Sequence, residues 1–156
     1  MIEDKMTAAA GAESRMNLVL YSFGFKYGIP IDANTVWDVR FLPNPHWQDE
    51  LRPLSGLQSP VFDYVVASDQ GQAFLQLLKP LLYFLVEAAE SSGKRSLRLA
   101  VGCTGGRHRS VAIVEELHRF LLSRDLAATV FHRDLSRDEV HSSRPGKFYP
   151  QQSEAG

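Results

Sequence analysis

What this 156-residue chain has least of is cysteine, with Cys103 standing alone. One thiol excludes an internal disulfide, and a reducing cytoplasm is the simplest expected compartment. No apolar run is long enough to cross a bilayer, and the opening residues are acidic and Ala/Gly-rich without the apolar stretch of a secretion signal. Its histidines and cysteine show no zinc-ligand spacing, so no metal is expected. Strong net charge is also missing. The formal total is −1, which argues against a dedicated nucleic-acid binder. There is no internal repeat.

What is there suffices for one domain with a real core, since 44% of the residues are hydrophobic. Charge is unevenly spread. Between Ser91 and Val114 lie Lys94, Arg95, Arg98, Arg107 and Arg109, with no acidic residue among them. That favours an anionic ligand at one face.

Residues 1–16 are small, polar and aperiodic and read as a tail, as does the polar stretch 135–156; the folded domain is expected over 17–134. Asn17 to Phe25 is rich in β-formers and predicts the first strand, and Lys26 to Asn34 a loop. Thr35 to Leu42 alternates like a second strand, with Asp38 and Arg40 on one face. Pro43, Asn44, Pro45 and His46 then form a stiff loop. Ser59 and Pro60 open a short helix to about Ala67, with Ser59 as its cap. Ser68 or Asp69 caps the next helix, which runs to about Glu90 on a stripe of Phe74, Leu77, Leu78, Leu81, Leu82 and Leu85. Pro80 should kink or divide it. That stripe is core, or an oligomer face if it is wider than the sheet covers. Leu97 to Gly102 predicts a third strand, Arg109 to Ser123 a helix, and Ala127 to Arg133 a last strand. Strands separated by helices point to an α/β domain with a mostly parallel sheet flanked by helices. In such sheets ligands bind beyond the carboxyl ends of the strands. Lys26, Tyr27, the Pro43–His46 loop and the glycine turn after the third strand therefore share one edge.

That turn, within VGCTGGRHRSV, carries the chemistry. A strand, a tight glycine turn and a helix N-terminus in that order gather backbone N–H groups on one spot, an anion site. Cys103, Gly106 and Arg109, followed by Ser110, fit the spacing C-x-x-G-x-x-R. Arginine adds paired charge-assisted hydrogen bonds, and cations beside a helix N-terminus favour a thiolate. The eight residues resemble the phosphate loop of the protein tyrosine phosphatases, which would make Cys103 a nucleophile, Arg109 a phosphate ligand and Asp38 a conceivable acid. Gly102 departs from that pattern, because a histidine usually precedes the cysteine. Without a catalytic role, Cys103 is a small buried residue closing a strand. Asp38 could instead bridge to Arg40 or Arg109. Trp37 and Trp47 read as packing, His118 as an ordinary helix residue, and His132 and His141 carry no signal.

A second resemblance is wider. SFGFKYGIPIDA (Ser22–Ala33), DVRFLPNPHW (Asp38–Trp47), LRPLSGL (Leu51–Leu57) and VGCTGGRHRSV (Val101–Val111) resemble, in the same order, the C-terminal domain of the RapZ family. These are bacterial RNase adapter and RNA-binding proteins, also grouped as nucleotide-binding. The resemblance implies a phosphofructokinase-like α/β domain without catalysis, cofactor-free, that senses glucosamine-6-phosphate, contacts small RNA or protein partners and forms homo-oligomers. Carried over by motif, the ligand site would use Asp38, His46, Cys103, Thr104, Gly105, Gly106, His108 and Arg109. Two departures stand out. The family's N-terminal half carries a G-x-x-x-x-G-K-[ST] loop that this chain lacks. Its basic C-terminal end is replaced here by a stretch in which Asp134, Asp138 and Glu139 offset Arg133 and Arg137, which weakens the expectation of RNA binding.

Overall fold

Asn17–Gly24, dense in β-branched, aliphatic and aromatic side chains, forms the interior strand β1 of the computed structural model, which describes residues 16–137. It lies between β3 (Ser96–Cys103) and β4 (Thr129–His132), and β2 (Thr35–Asp38) pairs with the far side of β3. The order is β2-β3-β1-β4 and every pairing is parallel. This is the α/β architecture with a parallel sheet that the sequence predicts. β1 is buried along its length after Asn17 because both faces of an interior parallel strand are covered. The period of two divides its side chains: Leu18 and Leu20 join Leu97, Leu99, Val101 and Cys103 of β3 in the main core, while Val19, Tyr21, Phe23 and Ala100 form a smaller cluster on the opposite face.

Three helices contribute to the main core: α1 (Ser59–Val66), α2 (Asp69–Ser91) and α3 (Arg109–Ser123). Ser68 is the cap of α2, its Oγ accepting from the Gly71 N–H at 3.0 Å. Ser59 is not the cap of α1. It is already helical, and Gln58 holds the cap position. Pro80 does not divide α2, which runs for 23 residues. Leu75, Leu78, Leu82, Val86 and Ala89 are buried on either side of the proline and hold the helix in one register. Pro80 itself faces outward, where water can reach the carbonyl it leaves without a donor. The buried stripe is therefore rotated from the predicted one: Leu77 and Leu81 are exposed, as is Phe84.

β2 also stops early. The strand read from sequence continues to Leu42, but pairing ends at Asp38. There the Asp38 Oδ1 accepts from the Arg40 N–H at 2.9 Å, and the Leu42 N–H turns back to the Val39 carbonyl. An aspartate that bonds two residues ahead turns the chain where an alternating pattern alone predicts strand. Leu135, Ser136 and Arg137, placed in a polar tail by the sequence, have helical backbone; the tails over 1–15 and 138–156 lie outside the described residues. Among the described residues no helix is long and apolar enough to cross a membrane.

The second sheet face is covered by the β1–β2 connection, through Phe25 and Ala33. Its tether is polar. Tyr21 donates to Asp32 Oδ1 at 2.7 Å, Arg98 Nη2 meets Asp32 Oδ2 at 2.8 Å, and the Arg98 N–H donates to Asn34 Oδ1. Burial, then donation to Asp32, pushes the Tyr21 hydroxyl up to about 12, while that same bond holds the Asp32 carboxyl below its ordinary range. A tyrosine whose folded value lies above its unfolded one stabilises fully below pH about 10, and that share is lost as pH rises toward about 12. Tyr21→Phe is therefore expected to cost about 0.5–1.5 kcal/mol in urea unfolding at pH 8, with the gap from wild type shrinking at pH 11. A gap that stays constant with pH contradicts the assignment.

Candidate functional site

Parallel pairing brings three strand ends to one level, since Gly24 is in register with Cys103 and Asp38 with Gly102. The loops that leave them are tied together by backbone. Lys26 N–H donates to the Thr104 carbonyl at 3.1 Å and Val39 N–H to the Gly102 carbonyl at 2.9 Å. The turn between β3 and α3 thus lies against the ends of β1 and β2, as the sheet-edge rule predicts.

Arg107, His108 and Arg109 are all buried, although basic residues are seldom buried without partners. Each donates to backbone carbonyls of a neighbouring loop. Arg107 uses Nε on Leu54 (3.1 Å) and Nη2 on Pro53. The His108 Nε2 meets the Arg52 carbonyl at 3.1 Å, which requires a proton on that nitrogen. Arg109 Nη1 donates to the carbonyls of Arg40 (2.6 Å) and Leu42 (3.4 Å), and Nη2 to Thr104 Oγ1 (3.4 Å). Gly56 N–H returns a bond to the Arg107 carbonyl. The three residues staple the Arg40–Leu42 and Arg52–Gly56 segments to the turn, which accounts for the LRPLSGL motif that spacing alone left without a role.

The turn is packed to backbone contact. A Cβ on Gly24 would lie 2.4 Å from the Gly105 carbonyl carbon, and Gly106 adopts φ +76 against Gly24. Thr104 and Gly105 alone in the Cys103–Arg109 stretch are partly exposed. His108, at the N-cap of α3, supplies no side-chain acceptor to the helix's first turn. Backbone donors and a positive helix end thus sit beside buried cations, a combination whose electrostatics favour negative charge.

Cys103 is 2% exposed and belongs to the helix-side core, its Sγ 3.1 Å from Ser110 Oγ. At Gly102, where a phosphatase loop usually has histidine, a Cβ would lie 2.4 Å from the Phe23 ring and 2.7 Å from that of Phe25. A side chain there would have to displace both rings.

Asp38 bridges to Arg40, which forks its carboxylate with Nε (3.0 and 3.2 Å) and Nη2 (2.8 Å). That hydrogen bonding holds the Asp38 carboxyl below its ordinary range, with the charge of Arg109 adding to the effect. The Arg40 guanidinium stacks 4.0 Å over the Phe25 ring. His46 is exposed and sits edge-on to Trp47, itself 53% exposed. Its carbonyl accepts from Arg52 Nε at 2.7 Å, so it reaches the turn indirectly, through Arg52 and then His108.

Asp38, Cys103, Thr104, Gly105, Gly106 and Arg109 therefore meet at one edge; His108 braces the turn from behind and His46 stands at the rim. The Asp38–Arg40 bridge is one of the alternatives the sequence offers, whereas the stapling role of Arg107 and the place of Asp134 at this edge are not legible there. Asp134, read from sequence only as an offsetting charge, has no exposed surface and accepts from the Gly24 N–H at 2.8 Å. It pairs with Arg133 at 2.8 Å and Arg137 at 3.5 Å, and Arg133 Nη2 donates to the Gly28 carbonyl. Its available signal was position, two residues past a strand end on the same sheet edge. Among the described residues no group of three His, Cys, Asp or Glu side chains is placed to hold a metal ion.

Residues 16–136 match the family described as the RapZ C-terminal domain. The chain belongs to that family. This RapZ C-terminal domain is 53% identical over 123 residues to a nucleotide-binding protein of Mycobacterium ulcerans, covering 78% of this chain and 40% of the relative. A nucleotide-binding protein of Nitratidesulfovibrio vulgaris is 44% identical over 135 residues, 86% of this chain and 46% of the relative. One from Frankia casuarinae is 48% identical over 139 residues, 88% and 48%. The chain thus spans less than half the length of these relatives.

If Asp134 holds the turn through Gly24, Asp134→Ala leaves a buried N–H without its acceptor, and urea unfolding should show a loss of about 1–3 kcal/mol. Asp134→Asn keeps an acceptor oxygen and is expected to retain most of that stability. Equal losses in both variants would assign the effect to charge alone.

Proposed function

We propose that this domain is a non-catalytic sensor of a small phosphorylated amino sugar of the glucosamine-6-phosphate kind. The reading rests on one observation: the glycine turn lies over the N-terminus of α3, which has no side-chain cap, with Arg107, His108 and Arg109 buried beside it. The amides of Thr104, Gly105 and Gly106, with Arg109, suit a phosphate dianion. Asp38, across the strand ends and held ionised, suits a protonated amine. His46 at the rim could bond a sugar hydroxyl, and Cys103 would be part of the wall. Absence of catalysis is supported by Arg109, whose Nη1 is turned to the Arg40 and Leu42 carbonyls, and by the ring-filled space at Gly102.

One observation favours a second reading, a cysteine-dependent phosphatase: Ser110 Oγ lies 3.1 Å from Cys103 Sγ and could donate to a thiolate. Calorimetry separates the two. The sensor binds glucosamine-6-phosphate and releases no phosphate from it or from an aryl phosphate. Arg109→Lys, checked for folding by circular dichroism, should weaken binding by about 10- to 150-fold, the scale of a charged hydrogen bond. Unaltered binding in that variant would place the pocket elsewhere. Phosphate release that Cys103→Ser abolishes selects the phosphatase.

The reading includes association of copies of this chain. Leu77 (76% exposed), Leu81 and Phe84 give α2 an outward apolar stripe of the kind association buries. Sedimentation equilibrium should find more than one chain per particle, and Leu81→Glu should lower that number; a monomer at every concentration removes the oligomer from the reading.

A further inference from the structure

Asp38 accepts four contacts, all of them from Arg40. Its Oδ1 takes the Arg40 backbone N–H at 2.9 Å and Nε at 3.0 Å, and its Oδ2 takes Nε at 3.2 Å and Nη2 at 2.8 Å. Both carboxylate oxygens are thus engaged by one residue, through three N–H groups. The two side chains are 47% and 39% exposed. Exposed ion pairs contribute little net free energy, so one cation can exchange for another here.

Arg40 is also leashed to the rest of the edge. Arg109 Nη1 holds its carbonyl at 2.6 Å, and the Phe25 ring lies beneath its guanidinium at 4.0 Å. The side chain can therefore leave the carboxylate while its backbone stays fixed beside the turn. Within the turn, Arg107 and Arg109 are buried and committed to loop carbonyls. Arg40 is partly exposed and pairs instead with a carboxylate.

We infer that Arg40 is the specificity-determining side chain of the site, an internal counter-ion that occupies Asp38 until the ammonium group of a ligand replaces it. The inference rests on the proposed sensor reading and deepens it. A ligand with phosphate alone leaves the Asp38–Arg40 pair intact and gains nothing from the carboxylate. One with an amine alone must displace a guanidinium that then has no new partner. A ligand carrying both groups is held at the turn by its phosphate and takes Asp38 with its ammonium, at the cost of the Asp38–Arg40 pair. Arg40 thus competes with the amine, and its hold on Asp38 sets how strongly the site prefers an amino sugar phosphate over its counterpart without the amine.

The test compares Kd for glucosamine-6-phosphate and glucose-6-phosphate by calorimetry in wild type, Arg40→Ala and Asp38→Asn, each checked for cooperative unfolding. Loss of the competitor should raise the preference for the amino sugar phosphate in Arg40→Ala by about two- to fivefold, the fold-change matching an exposed ion pair. Asp38→Asn should bring the two ligands to equal affinity. A preference that is unchanged or lower in Arg40→Ala overturns the counter-ion role while leaving the sensor reading standing. If neither phosphosugar binds wild type, the sensor reading fails and this assignment falls with it.

Discussion

Everything at the functional edge depends on three consecutive basic side chains placed where the solvent does not reach. Arg107, His108 and Arg109 stay buried because the loops around them turn carbonyl oxygens inward, from Arg40 and Leu42 on one side and from Arg52, Pro53 and Leu54 on the other. The dependence runs both ways. The loops, which contain little regular structure, take their course from those donors, and the donors are tolerated in the interior only because the carbonyls meet them. The same residues open α3, so the positive helix end and the cations reinforce one another beneath the glycine turn. A backbone packed this tightly leaves no room for side chains, which is why Gly24 and Gly106 face each other across it.

This arrangement bears on two chemistries that the spacing C-x-x-G-x-x-R leaves together. A phosphatase needs its arginine fork aimed at the phosphate and its thiol reachable. Here one arm of Arg109 is engaged by loop carbonyls, and the thiol is a core atom against Ser110. The proposed sensor needs less: donors that converge, a charge that does not move, and selectivity supplied by a neighbouring group. Asp38 is in register with Gly102 at the same edge and is held by Arg40, which in the proposed reading makes the carboxylate a conditional acceptor.

Much of the fold was legible in the sequence because it follows from periodicity. The strands at Asn17 and Leu97, the α3 helix and the parallel order come from alternation and from the helices between strands. The errors have local causes. Alternation from Thr35 to Leu42 could not reveal that Asp38 bonds the Arg40 N–H and turns the chain. The stripe on α2 was rotated because its leucines outnumber the positions that face the sheet, so count alone does not choose among Leu75, Leu77, Leu78 and Leu81. In the site, the glycine turn announced itself by composition. Asp134 did not, since one acidic residue among alternating charges looks like a solvated surface until Gly24 is seen to donate to it. Arg107 reads from sequence only as one of a basic group that favours an anion, because partners that are backbone carbonyls leave no trace in side-chain identity.

The most direct measurement is an electron-density map from crystals of this domain soaked with glucosamine-6-phosphate. The account predicts phosphate density over the Thr104–Gly106 amides beside Arg109, the amine against Asp38, and the Arg40 guanidinium displaced from that carboxylate. Phosphate bound elsewhere on the domain, with the glycine turn empty, would contradict it.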